Sequence, residues 1–315
     1  MMKPRKVTVN LNQCKAVARV IKGVRVKEPL YGEKFEGIAP DFYLVFSAIC
    51  YDTRGFRIPG TNLHGSHAIF EALMREYHKD PRKISIEYIH RNLTLDEFRK
   101  WMQCVENISR VEERYVILKE TAKSLIENIG GIDKLLSMDT GEIIKAMNKL
   151  KAFTDPLKKK IMVFLKFIHE SGMYKVDLSK VIVALDYHLT RIAFRTGMIS
   201  LNDETLLDRI RNGKKVRIYE DLMIRKAAIE AYTIVGNESG LDAFTVDTIF
   251  WNLGRSCCRL EYASCHTCRN ERYCTFTKAT FYKCEGKCPL STVCKGAVSK
   301  EYRSLKEHFI KTFFY

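Results

Sequence analysis

The stretch "RVEERYVILKETAKSLIENIGG", residues 110–131, carries the pattern that decides the fold class of this chain. Its apolar residues recur at the spacing of an amphipathic helix, and the pattern stops at the paired glycines Gly130 and Gly131. Helical patterns of the same kind recur along most of the chain. They occupy residues 66–79, 93–105, 155–171, 203–213 and 220–236. The sequence therefore predicts an all-α fold with short connections.

Local capping signals predict where several of these helices begin. Ser66 is placed to cap one helix, and Thr94 followed by Glu97 has the pattern of a capping box. Asp155 followed by Pro156 is typical of a helix start, because the aspartate caps and the proline fits the first turn.

Strand signals are few. They lie in "RKVTVNL", residues 5–11, and in "DFYLVFSAICY", residues 41–51. We expect a two-lobed helical core over residues 1–250 with a small sheet near its N-terminus. A cysteine-rich segment over 251–300 and an amphipathic aromatic tail over 301–315 complete the predicted organisation.

Length and composition favour a soluble intracellular protein. The 315 residues are 46% hydrophobic, so the chain can bury a substantial core. Its charged start, "MMKPRKVTVN", lacks the apolar region of a secretory signal. The longest apolar stretches, such as residues 43–50, are far shorter than the ~20 residues a membrane span needs. We expect no membrane partner and no secretion.

The charge of the chain favours a polyanionic partner. Its formal net charge is +16, and the part from Arg255 to Lys300 contains nine Lys or Arg residues against three Glu and no Asp. A basic surface of this kind is typical of proteins that bind nucleic acid or a phosphorylated ligand. The alternative is a lysine-rich surface of the kind found in thermophile proteins.

Eight of the eleven cysteines lie between Cys257 and Cys294. In a reducing compartment such clustering indicates a metal site and not a disulfide framework. One subset has the spacing C-x6-C-x2-C-x5-C, which suits either a four-thiolate zinc or a [4Fe-4S] cluster. Its members are Cys258, Cys265, Cys268 and Cys274.

Three further cysteines, Cys284, Cys288 and Cys294, follow this subset. They could form a second metal site with Cys257 or His266, supply a ligand to the first site, or remain unligated. Three thiolates alone fall one short of a closed structural site.

The spacing of the first subset resembles the [4Fe-4S] loop of endonuclease III and of the adenine-specific mismatch glycosylase. The match extends to "LGRSCC", where Gly254 and Arg255 precede the first matching cysteine. The resemblance implies that this subset binds the cluster and that Cys257 is an extra neighbour. It also directs the nucleic-acid prediction to the arginines near the loop. These are Arg255, Arg259, Arg269 and Arg272. The three later cysteines depart from the family pattern.

The preceding part of the chain is similar to helix–hairpin–helix DNA glycosylases. "DPLKKKIMVFLKF" resembles a stretch of the archaeal oxoguanine glycosylase, and this match implies that Lys159 is the catalytic lysine. "VALDYHLTRIAF" resembles the motif that carries the family's catalytic aspartate, which implies Asp186. The glycine-rich hairpin of the family is absent, because residues 152–155 read Ala-Phe-Thr-Asp there.

A second resemblance covers more of the chain, from about residue 41 to residue 235. This part is similar to the queuosine 5′-phosphate N-glycosylase family in "VEERYVILKET", in "VRIYEDLMIRKAAIEAYTIV" and in the run that follows Asp177. His188 stands where that family has Arg, and Met223 stands where it has Glu. Both resemblances imply cleavage of an N-glycosidic bond, but they imply different substrates.

These observations predict an N-glycosylase that removes a damaged or modified base. DNA repair is the leading interpretation, with lyase activity if Lys159 attacks the sugar. The alternatives are a nucleotide N-glycosylase of the salvage type and a non-catalytic iron–sulfur protein that binds nucleic acid. Asp186 could also be a simple helix cap, and the lysine run 158–160 a solvated face. By helical phase, Lys158 lies nearest the apolar stripe of its helix.

Overall fold

The computed structural model describes residues 6–27, 37–268 and 274–315. The chain divides into two compact units: unit 1 comprises Met1–Leu30 with Val181–Lys311, and unit 2 comprises Tyr31–Lys180 with Thr312–Tyr315. Each unit is described by itself. No helix among the described residues is both long enough and apolar enough to cross a membrane. The division into 1–250, 251–300 and 301–315 stays a prediction.

Unit 1 combines a short sheet with helices. Strand β1 (Val7–Val9) pairs antiparallel with β2 (Ile199–Leu201), which confirms the strand predicted near the N-terminus. The helices of unit 1 are α1 (Leu11–Ile21), α10 (Tyr187–Thr196), α11 (Glu204–Arg211), α12 (Ile218–Ser239), α13 (Ala243–Arg255), α14 (Thr275–Ala279), α15 (Lys295–Val298) and α16 (Lys300–Arg303).

The core of unit 1 forms where α10 packs on α12 and α13, and α1 packs along α12. Apolar side chains of these helices, such as Phe194, Tyr232 and Phe250, are completely or almost completely buried there. The same core includes Cys257 and Cys274, so the cysteine-rich segment is packed onto the helices of this unit.

Unit 2 is built from helices in its described part. They are α2 (Pro40–Ile49), α3 (Ser66–Lys79), α4 (Ile86–Arg91), α5 (Leu95–Met102), α6 (Val111–Ile129), α7 (Ile132–Leu136), α8 (Thr140–Met147) and α9 (Lys159–Glu170), with single 3₁₀ turns at Pro81–Ile84, Lys151–Phe153 and Leu178–Lys180. The prediction of an all-α fold is therefore confirmed.

The prediction of a strand within residues 41–51 is wrong, because this stretch forms α2. Pro40 occupies the first turn, and every residue from Phe42 to Ile49 is buried. A short apolar run carries no periodicity that separates a buried strand from a buried helix, so only tertiary packing decides between them.

The predicted helix starts are correct in part. Gly65, not Ser66, is the N-cap of α3. Thr94 caps α5 as predicted, but the carboxylate of Glu97 accepts hydrogen bonds from Tyr88 and Lys83. Helix α9 begins at Lys159, later than Asp155 alone suggests. In α6, Gly130 ends the helix in the left-handed conformation, as its sequence predicts.

Candidate active site and cysteine-rich segment

Asp186 is the N-cap of α10, and its side chain is almost completely buried at 7% exposure. Its Oδ1 accepts hydrogen bonds from the backbone N–H groups of His188 (2.8 Å) and Leu189 (3.0 Å). These donors and the positive end of the helix dipole favour a negative charge at this position. The cap interpretation is therefore correct, and it leaves a fixed carboxylate beside the half-buried Tyr187.

Arg191, one turn along α10, joins this helix to three other segments. Its guanidinium donates to the backbone carbonyls of Cys258 and Gly254, both at 2.9 Å, and to the carboxylate of Glu307 at 2.6 Å. A further contact of 2.9 Å reaches Nδ1 of His188. Burial lowers the pKa of Arg191, but the Glu307 carboxylate more than compensates and holds the pKa above its ordinary value.

Arg195, on the next turn of α10, binds the cysteine-rich segment directly. It donates to the carbonyl oxygens of Arg259 (2.6 Å), Leu260 (3.1 Å) and Leu305 (2.8 Å). Its Nη1 also lies 3.5 Å from Sγ of Cys258. Two buried arginines thus fix the loop after α13 to the helix that carries Asp186.

The close packing of α13 against α10 depends on one glycine. A Cβ atom at Gly254 would lie 2.6 Å from Cβ of His188, which is closer than side chains approach in folded proteins. A residue with a side chain at position 254 would therefore push the two helices apart. The Gly-Arg pair in "LGRSCC" consequently has a packing reason in this fold.

Lys159, the predicted catalytic lysine, is the first residue of α9 in unit 2. Its backbone N–H donates to Oδ2 of the buried Asp155 at 2.9 Å, and its side chain is half-buried. Lys158 is the N-cap, with a left-handed backbone at φ 60°. Lys159 and Asp186 belong to different units.

The buried lysine of this run is Lys160, which is 1% exposed, so the phase argument for Lys158 is wrong. Its Nζ donates to the carbonyl of Ala48 at 2.7 Å and lies 4.3 Å from the ring centre of Tyr51. Burial and the nearby charge of Lys159 lower the pKa of Lys160 well below its ordinary value. Arg114 is buried beside it, donates to Ile49 O, and lies over the same tyrosine ring.

Two of the four arginines predicted to contact nucleic acid lie within the described residues. Arg255 is half-buried, with its guanidinium 4.3 Å from the ring centre of Trp251. Arg259 lies over Tyr262, 5.5 Å from the ring centre, and donates to its hydroxyl at 3.0 Å. Cation–aromatic pairs of this type can present both charge and a stacking face to a nucleic acid. Arg269 and Arg272 lie outside the described residues.

A cavity of about 420 Å³, partly open to solvent, lies beside α10 in unit 1. Five cysteines contribute to its described lining, together with Arg195 and Arg303. They are Cys257, Cys258, Cys265, Cys288 and Cys294. Of the set predicted from spacing, only Cys258 and Cys265 belong to this lining.

The other thiols have different surroundings. Cys274 is 3% exposed, and its thiol hydrogen-bonds with that of Cys257, which is 4% exposed and also contacts the thiol of Cys288. Cys268 donates its backbone N–H to the carbonyl of Gly286 at 2.5 Å. The structure therefore divides the spacing set between the cavity and its surroundings.

The local environment keeps several of these thiols protonated in the absence of metal. Burial raises the pKa of Cys294 to about 11 and raises that of Cys265 as well. The bond with Cys257, together with burial, raises the pKa of Cys274 to about 12. For Cys257, the bond with Cys274 lowers the pKa, but the bond with Cys288 and burial raise it further. Metal binding here must displace protons.

The arrangement distinguishes one ion from a larger group. Among the described residues, no set of three or more His, Cys, Asp or Glu side chains is arranged to hold a metal ion. Four thiolates around one zinc lie roughly 3.8 Å apart, as tetrahedral Zn–S bonds of about 2.3 Å require. Thiolates around a [4Fe-4S] cluster each bind a different iron, so they lie farther apart and enclose more space. A cavity bordered by several cysteines suits the second arrangement.

Sequence reasoning missed the two arginines of α10 and the buried Lys160. His188, Arg191 and Arg195 are spaced three and four residues apart, which places them on one helix face and was readable as a polar stripe. The partners of that stripe come from residues 254–307 and carry no local signal. Burial of Lys160 likewise depends on Ala48 and Tyr51, which are distant in sequence.

The chain matches no known protein-family model, and no curated protein matches it. Among solved structures it is similar to one described as a thermostable thymine-DNA glycosylase. The TM-score is 0.42 and the sequence identity is 13%, over 85% of this chain and 94% of that chain. At this level of similarity, function has to be inferred from the residues of this chain.

Proposed function

We propose that this chain is an N-glycosylase that removes a damaged or modified base by cleaving the N-glycosidic bond, and that DNA is its substrate. The observation that carries the proposal is the carboxylate of Asp186, buried and fixed by two backbone N–H donors at the start of α10. It is the residue that the glycosylase resemblance singles out, and the geometry gives it a constant position and a favoured negative charge.

The chemistry of base removal explains the need for such a carboxylate. Cleavage of the bond between sugar and base passes through a sugar with oxocarbenium character, so positive charge develops at C1′. A preorganised carboxylate nearby stabilises that charge or activates the attacking water. Tyr187, which follows Asp186, is half-buried and adjacent to the His188 ring, with ring centres 4.3 Å apart. These rings offer a stacking surface for an extruded base.

Lys159 is the proposed nucleophile of an accompanying lyase activity. An amine that attacks C1′ forms a Schiff base, from which the 3′ strand is eliminated. Lys160 has the lower pKa, but its Nζ is occupied by Ala48 O and is buried under Tyr51. Lys159 is the more accessible of these two amines.

Two features favour DNA over a free nucleotide. The formal net charge of +16 supports binding to a polyanion. Arg255 and Arg259 each pair with an aromatic ring in or next to the cysteine-rich segment, which suits contact with phosphates and bases together. A nucleotide N-glycosylase of the salvage type remains the competing proposal because of its sequence resemblance.

We also propose that the cysteine-rich segment binds one [4Fe-4S] cluster. The support is the cavity bordered by five cysteines and two arginines. When bound, the cluster stabilises the fold of a segment that has little core of its own. The arginines of α10 would transmit this order to the helix that begins after Asp186.

A base-release assay tests the proposed reaction. The substrates are duplex oligonucleotides carrying 8-oxoguanine, uracil or a mispaired thymine, with queuosine 5′-phosphate as the competing substrate. Wild-type protein should release a base from one or more duplexes. Asp186→Asn should keep the helix cap, because Asn caps as well as Asp, but lose roughly 10²–10³ in rate.

Three outcomes contradict parts of the proposal. Release from the nucleotide alone transfers the protein to the salvage reaction. Unchanged release by Asp186→Asn leaves Asp186 as a cap without a catalytic role. DNA binding without release from any substrate supports the non-catalytic alternative.

A further inference from the structure

The fold brings together cysteines that are far apart in the sequence. The backbone N–H of Cys288 donates to the carbonyls of Ser264 (3.1 Å) and Cys265 (3.2 Å). Cys258 forms an isolated antiparallel bridge with Ala263. The segments around positions 258, 265 and 288 therefore lie side by side.

Cys294 reaches the same cavity from the start of α15. Its Sγ lies 3.4 Å from the carbonyl of Arg195, and Sγ of Cys265 lies 3.9 Å from the carbonyl of Gly296. The loop before α15 is thus attached both to α10 and to the loop that follows α13.

Burial separates the lining cysteines into two groups. Cys257 belongs to the hydrophobic core of unit 1, and so does Cys274, to which its thiol is hydrogen-bonded. The remaining lining cysteines are only partly buried and have thiols at the border of the cavity. They are Cys258, Cys265, Cys288 and Cys294.

The charge around the cavity suits an anionic group. Arg195 and Arg303 both line it, and Arg195 Nη1 is 3.5 Å from Sγ of Cys258. Arg303 is oriented by bonds of 2.6 Å to the carbonyls of Gly296 and Ala297. A [4Fe-4S] cluster with four thiolate ligands carries net negative charge, which guanidinium groups stabilise.

We propose that the cluster is held by a ligand set different from the one that spacing predicts. The ligands are Cys258, Cys265, Cys288 and Cys294. Cys257 and Cys274 form a structural pair in the core, and Cys268 is not a ligand. This inference rests on the proposed cofactor but not on the proposed reaction, because metal content and base release are measured separately.

Metal analysis of single variants tests the ligand set. Wild-type protein prepared without oxygen should contain about four irons and four labile sulfides per chain. Cys288→Ser and Cys294→Ser should each lose most of the iron and sulfide together with the visible absorption. Cys268→Ser is the matched control and should keep the wild-type content.

Alkylation of the wild-type protein keeps the inference testable if a variant fails to fold. Iodoacetamide followed by mass spectrometry should label Cys268 in the cluster-loaded protein. Removal of the cluster with ferricyanide and EDTA should increase labelling at the four proposed ligands. Cys268 should be labelled to the same degree before and after removal.

The opposite pattern overturns the inference. Loss of the cluster in Cys268→Ser, with retention in Cys288→Ser and Cys294→Ser, restores the set predicted from spacing. Stoichiometric zinc without sulfide, or protein without metal, removes the cluster itself. Base release can persist or fail independently of each of these results.

Discussion

Both units bury basic side chains against backbone carbonyls, but only one of them supplies a carboxylate partner. In unit 1, Arg191 is paired with Glu307 at 2.6 Å, and its pKa is raised. In unit 2, Lys160 donates to a carbonyl and faces aromatic rings, and burial lowers its pKa well below the ordinary value. The comparison shows that the partner, more than burial, decides whether an interior cation keeps its charge.

The two clusters also hold different things. The arginines of α10 bind the cysteine-rich segment, whereas Lys160 and Arg114 bind carbonyls at the end of α2. Cations near a helix C-terminus satisfy its free carbonyl groups and interact favourably with its dipole. One cluster therefore organises the candidate site, and the other stabilises a helix end.

The largest effect is expected when the unit 1 cluster is broken. Arg191→Met leaves the Glu307 carboxylate buried without its partner, so the free energy of unfolding should fall by about 3–5 kcal/mol. Urea unfolding followed by circular dichroism measures this. The double variant Arg191→Met/Glu307→Leu should recover part of the loss. A loss below about 1 kcal/mol in the single variant contradicts the account, since that is the range of an exposed pair.

Borohydride trapping compares the two neighbouring lysines of α9. If Lys159 attacks C1′, reduction should link wild-type protein to damaged DNA, and Lys159→Gln should abolish the link. Lys160→Gln is the matched control and should still be trapped if folded. Trapping that depends on Lys160 identifies the buried amine as the nucleophile. Base release without trapping assigns the attack to water.

The pH dependence of stability sharpens the comparison from the side of unit 2. The pKa of Lys160 is lowered on folding, so the unfolded chain binds more protons than the folded chain between the lowered pKa and the ordinary 10.5. The contribution of Lys160 to stability therefore increases as pH rises through this range, by up to about 1.4 kcal/mol per pH unit.

Lys160→Met removes this contribution to the slope, and Lys159→Met is the matched control that should keep it. Urea unfolding between neutral pH and 10.5 measures both slopes. Equal slopes in wild-type protein and Lys160→Met show that the buried amine keeps an ordinary pKa.

The smallest effect is expected at the aromatic-paired arginines. If Arg255 and Arg259 each contact one phosphate, replacing either with Gln should reduce the slope of log affinity against log salt by about 0.9. Arg82→Gln, at an exposed ion pair in unit 2, serves as the control. Fluorescence anisotropy with duplex DNA measures the slopes, and unchanged slopes in both variants place the DNA elsewhere.

Local signals predicted much of the secondary structure. Helix α6, its end at Gly130 and the cap of α5 at Thr94 follow from spacing and capping rules, which act over a few residues. The same rules fail for α2, where the apolar run has no readable period and only its burial decides the conformation.

The candidate site was predictable only where its chemistry is local. The cap at Asp186 and the metal-binding character of the segment are visible in the sequence. The cavity is not, since Cys294 and Arg195 meet only through tertiary folding. Spacing along the chain therefore identified the kind of site, and the fold changes which cysteines we propose as ligands.

The central claim is that the cysteine-rich segment and the helix that begins after Asp186 form one structural unit. Hydrogen exchange of the full chain, with its metal and after chelation, tests this most directly. We predict that the α10 amides exchange about tenfold faster or more after metal loss, equal to about 1.4 kcal/mol of lost protection, while α9 of unit 2 is unchanged. Metal loss that leaves α10 as protected as before would contradict the claim.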